Sequence, residues 1–80
     1  MAKQRVRFTF PPENISKPVI YELGHRFKVV TNIRRADVGP DRGWVELEVE
    51  GTREDIDQGI QWVSSQGVKV GPVGGDVVEG

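Results

Sequence analysis

The sequence predicts an α+β fold, a four-stranded antiparallel sheet with two helices packed on one face, and three observations lead there. Apolar and polar residues alternate in several short runs, two other runs repeat their apolar residues at helical spacing, and Pro or Gly clusters separate the runs. With eighty residues there is room for one core.

The first run, from Lys3 to Phe10, places Val6, Phe8 and Phe10 on one side and Arg5, Arg7 and Thr9 on the other, the mark of a half-buried strand. Pro11 and Pro12 end it, because neither can donate to a ladder. Asn14 or Ser16 is expected to cap the next helix, with Pro18 in its first turn. Val19, Ile20, Leu23 and Phe27 form the apolar stripe of that helix, which runs to about Arg26. Gly24 is read as a weak point or a place of close helix–sheet approach.

From Lys28 the period returns to two. Val29, Thr31 and Ile33 share one side and Val30, Asn32 and Arg34 the other, with Ala36 and Val38 continuing the strand. The cluster Gly39-Pro40-Asp41-Arg42-Gly43 suits a hairpin loop. In the third strand, Val45, Leu47 and Val49 face inward while Glu46, Glu48 and Glu50 face water. Gly51 breaks this strand, and Thr52 caps a helix whose first turn holds Glu54 and Asp55, where the helix dipole favours acids. Ile56, Ile60 and Val63, with Trp62 beside them, form its stripe, and Gly67 stops it. Val68 and Val70 begin a short fourth strand. The domain is expected over residues 3–73, with 74–80 a flexible C-terminal tail.

This order matches the split βαβ pattern of ferredoxin-like sandwiches, βαββαβ. Right-handed crossovers then give the spatial order 4-1-3-2, with Ile33 and Ile60 in the core beside the residues named above. Strand one lies next to strand three, so Arg5 and Arg7 are expected near Glu46 and Glu48 on the open face.

Composition excludes several functions. The chain has no cysteine and one histidine, so the usual zinc sites cannot form, and it carries no continuous apolar run of signal-peptide or membrane-spanning length. A cytoplasmic location is expected, without membrane insertion. His25 lies off the apolar stripe, and Glu54, Asp55 and Asp57 serve a helix start. Ser64 and Ser65 have no activating partner in sequence, and Gly71, Gly74 and Gly75 miss both phosphate-loop spacings. The chain reads as non-catalytic and cofactor-free.

Nucleic-acid binding is likewise not expected. The net charge is −1, a single Trp44 stands among glutamates on the open face, and Arg34 and Arg35, as adjacent strand residues, point to opposite faces.

With its strands placed, the chain resembles the NIL domain family. The similarity runs from Arg5 to Val73. It is carried by Arg5-Val6-Arg7-Phe8-Thr9-Phe10, Pro18-Val19-Ile20, Phe27-Lys28-Val29-Val30-Thr31-Asn32-Ile33, Ile60-Gln61-Trp62-Val63 and Gly67-Val68-Lys69-Val70. Such domains end methionine-importer ABC ATPases, are fused to some iron–sulfur ferredoxins, and also occur alone. The namesake run Asn-Ile-Leu reads Asn32-Ile33-Arg34 here, a charged residue replacing an apolar one.

The resemblance implies a standalone regulatory module that dimerises and binds methionine, or a similar small amino acid, near the dimer interface through Asn32, Ile33 and Arg34. An amide suits that role, since it donates to a carboxylate and accepts from an ammonium; Asn32 reads equally as a solvated polar residue of an edge strand. Arg34 could pair a ligand carboxylate or exclude a thioether chain. The alternative is an interaction module without a small ligand, docking a protein through the open face or the second strand. Trp44 and Val30 are then the contact residues, Trp44 the strongest anchor by residue type. A homodimer is expected on either reading, because the second strand is an exposed edge.

Overall fold

Alternation in the first and third runs brings the two together as the centre of the sheet. In the computed structural model, β1 (Ala2–Phe10) and β3 (Gly43–Gly51) pair antiparallel over their whole length, with Val6 opposite Leu47 and Phe8 opposite Val45. The structure describes residues 1–73, and the expected tail, 74–80, lies outside the described residues. The remaining elements are a 3₁₀ turn (Pro12–Asn14), α1 (Val19–Arg26), β2 (Val30–Val38), α2 (Arg53–Ser65) and β4 (Lys69–Gly71). β2 flanks β3 and β4 flanks β1, giving the order β2-β3-β1-β4, which is the expected 4-1-3-2 read from the other side. All three pairings are antiparallel.

Both helices cover the face that carries the apolar row. Phe8, Leu23, Val49, Ile56 and Val63 are fully buried there, joined by Val6, Val45 and Leu47. Ile60, Trp62 and Phe27 pack against this core from its margin. The helices meet at Gly59, where a Cβ would lie 2.7 Å from the Leu23 Cδ1 atom. Gly24 has ordinary space around it, 3.9 Å to the nearest atom, so the close approach is between the helices and not at Gly24.

The caps divide the two helices. Thr52 Oγ1 accepts from the Asp55 backbone N–H at 3.1 Å, as its position predicts, and Gly67 takes the left-handed conformation, φ 93°, just beyond the end of α2. α1 instead begins at Pro18 with no side-chain cap. Asn14 is buried, 2% exposed, and its Nδ2 donates to the Gln66 backbone oxygen at 2.6 Å. It therefore ties the β1–α1 connection to the end of α2 and does not cap α1.

Ile33 departs from the expected core. It sits opposite buried Leu47, on the helix-covered side, yet is 53% exposed. β2 is an edge strand, flanked by β3 on one side, and the contact α1 makes with it leaves Ile33 half exposed.

Candidate functional site: the edge strand and the open face

Eight of the nine residues of β2 are exposed, Thr31 excepted. One margin of the strand hydrogen-bonds to β3; among the described residues the other has no neighbouring strand. Three of the five exposed large apolar residues of the described chain lie on it: Val30 (66%), Ile33 (53%) and Val38 (56%). Asn32 is exposed opposite Glu48, and among the described residues its side chain makes no hydrogen bond. Asn32, Ile33 and Arg34 thus share one exposed edge. Two clefts lie nearby, and neither is lined by any of the three.

One cleft, ≈ 220 Å³, lies between the start of α1 and the end of β2, walled by Phe10, Ile15, Ile20 and Val38 with Lys17 at its rim. The other, ≈ 490 Å³, lies at the β2–β3 hairpin and is lined by Thr9, Asp37, Asp41, Arg42 and Trp44.

The open face follows the register of β1 on β3. Arg5 pairs with Glu48 and Arg7 with Glu46, as the topology predicts. Arg5 Nε donates to Glu48 Oε2 at 3.1 Å, and Arg7 Nη2 lies 3.0 Å from Glu46 Oε2. From β2, Arg35 Nε donates to Glu46 Oε1 at 3.0 Å, and Arg34 Nη1 stands 3.9 Å from Glu48 Oε1. Glu46 is 6% exposed, a carboxylate held beneath two guanidiniums.

The expectation that Arg34 and Arg35 face opposite ways is corrected here. The β2–β3 register breaks between Ile33 and Arg35, with Ile33 opposite Leu47 and Arg35 opposite Glu46, so Arg34 is the extra residue of a β-bulge. Beyond it the alternation resumes one residue out of step, and both arginines reach glutamates of the same face. The sequence holds a sign of this: the inward residues change from odd positions (Val29, Thr31, Ile33) to even ones (Ala36, Val38).

Trp44, expected as an open anchor, is half-buried. The Arg7 guanidinium carbon lies 4.2 Å from its ring centroid and that of Arg35 5.8 Å. The groups considered for catalysis are engaged locally. His25 Nδ1 hydrogen-bonds with the Tyr21 carbonyl at 2.8 Å, Asp57 pairs with Arg53 at 3.2 Å, and Ser65 Oγ donates to the Trp62 carbonyl at 2.6 Å. Among the described residues no group of His, Cys, Asp or Glu could hold a metal ion, and no helix is long and apolar enough to cross a membrane.

The model of the NIL domain matches residues 4–71, from the first strand through the last. The chain belongs to the NIL domain family. One relative is the L-aspartate semialdehyde sulfurtransferase iron-sulfur subunit of Methanocaldococcus jannaschii, 32% identical over 65 residues. That match takes in 81% of this chain and 50% of the relative, so this NIL domain spans about half of that protein's length. Among solved structures, the C-terminal domain of an ABC transporter ATP-binding protein from Enterococcus faecalis superposes with a TM-score of 0.76 at 18% identity. It takes in 91% of this chain and 86% of that one. At that identity the likeness establishes the ferredoxin-like fold alone.

Proposed function

We propose that this NIL domain is a non-catalytic regulatory module of the cytoplasm that joins a second copy along β2 and holds a small amino acid, methionine first among candidates, at Asn32, Ile33 and Arg34. The observation that carries the reading is Ile33, an apolar residue half exposed on a strand that, among the described residues, pairs along one margin only. In a single chain the three residues line neither cleft, so a second strand is what would enclose a ligand beside them. Asn32 offers both a donor and an acceptor, and Arg34, 49% exposed and 3.9 Å from Glu48, retains donors for a carboxylate.

Calorimetric titration of methionine is the test. Heat that saturates by millimolar ligand, with affinity lowered about tenfold or more in Asn32→Ala, is the expected result. Absence of heat at millimolar methionine would remove methionine as the ligand. A second reading has its own support: the two relatives are a subunit and a domain of larger proteins, which fits a module that docks a protein without any small ligand. On that reading Trp44→Ala or Val30→Lys abolishes recovery of the partner while methionine produces no heat.

A further inference from the structure

We propose that the open face of the sheet, beyond the ligand reading of β2, is a docking surface for an extended acidic segment of a partner protein, recognised by Arg34 and Arg35. The bulge at Arg34 makes the surface. It brings two consecutive guanidiniums to one face, where an unbroken strand would send them to opposite faces.

Each arginine keeps donor capacity. Arg35 is 68% exposed and engages Glu46 through Nε, which leaves the terminal nitrogens, the fork that grips a carboxylate, directed away from that contact. Arg34 is 49% exposed and stands 3.9 Å from Glu48, beyond hydrogen-bond distance. Around them four guanidiniums, those of Arg5, Arg7, Arg34 and Arg35, meet the carboxylates Glu46 and Glu48, on a chain whose net charge is −1. By register the face also carries Lys3, Lys69, Asp37 and Glu50, so its six cations exceed its four carboxylates although the molecule is not cationic, and an acidic partner is its complement.

Spacing narrows the partner further. Arg35 is bonded to Glu46 and Arg34 stands beside Glu48, glutamates two residues apart on one strand and roughly 7 Å along it. An extended segment carrying carboxylates at alternate positions repeats that spacing and presents one to each outward fork. Nucleic acid fits less well. Trp44, the aromatic residue of the central strands on this face, is half-buried with the guanidiniums of Arg7 and Arg35 already at its ring, a poor platform for stacking bases.

The test titrates the full chain with a short capped peptide bearing Glu at alternate positions, with the same peptide bearing Gln, and with a single-stranded RNA oligonucleotide, following backbone amide resonances of β1, β2 and β3. The Glu peptide is expected to bind and shift these resonances, weakening as salt rises. Arg35→Gln should lower its affinity about tenfold, and the double variant Arg34→Gln with Arg35→Gln should abolish it. Circular dichroism of both variants is expected to match the wild type, since both side chains are exposed. Equal binding of the Gln peptide, no binding of the Glu peptide at millimolar concentration, unchanged affinity in Arg35→Gln, or preference for RNA would each overturn the proposal. Arg35→Gln leaves Asn32, Ile33 and Arg34 in place, so methionine calorimetry on that variant reports the other reading separately.

Discussion

Asn14 carries a long-range tie on a single amide. Its Nδ2 donates to the Gln66 carbonyl across 52 residues of sequence, closing the chain between β1 and α1 onto the end of α2. Asn14→Ala leaves that carbonyl without its partner and opens a small void, at a cost of about 1–3 kcal/mol. In a domain of this size the thermal midpoint should fall by about 4–8 °C for each kcal/mol, as a calorimetric melt would read. A midpoint unchanged within error would mean the amide is not structural. The local sequence around Asn14 gives no hint of this role. Asn after a proline pair is ordinarily a helix cap, and the partner that claims it is too distant for periodicity or spacing to suggest.

Helix α2 packs on α1 without a side chain at the crossing. Gly59 is buried, and a Cβ there meets Leu23, itself fully buried, at 2.7 Å. Gly59→Val overpacks this contact and should destabilise by about 1–3 kcal/mol in urea unfolding, although valine is the better helix former. Strand β2 makes the opposite prediction. Deleting Arg34 removes the extra residue and leaves Ile33 opposite Leu47 and Arg35 opposite Glu46. Stability should change by less than about 1 kcal/mol, with the β2–β3 amide pattern intact; the mutational scale for surface positions is about half that. Loss of the β2 resonances on deletion would contradict the bulge. The pairing of β1 on β3, with Arg5 and Arg7 beside their glutamates, was legible because strict alternation fixes which side each residue faces. The bulge was readable only as a shift from odd to even inward positions, which a strand read as unbroken conceals.

Across the molecule, helices cover one face of the sheet while most of the edge strand β2 meets water. The helices bury Val6, Phe8, Val45, Leu47 and Val49 but leave Ile33 and Val38 of β2 exposed, while Val30, opposite Glu50, is exposed on the open face. The order of strands followed from the order of elements and the handedness of crossovers, so the position of β2 at the edge was legible; the extent of the helix cover was not, because it depends on where α1 and α2 cross. That exposed edge strand is the surface proposed to recognise a second copy. Sedimentation equilibrium at micromolar concentration tests it most directly, with Ile33→Lys as the companion variant, a change tolerated by the fold because the side chain already meets water. The wild-type chain should sediment at twice its 8.9 kDa mass and the variant at 8.9 kDa; a wild-type mass of 8.9 kDa, or a dimer that Ile33→Lys leaves whole, would contradict it.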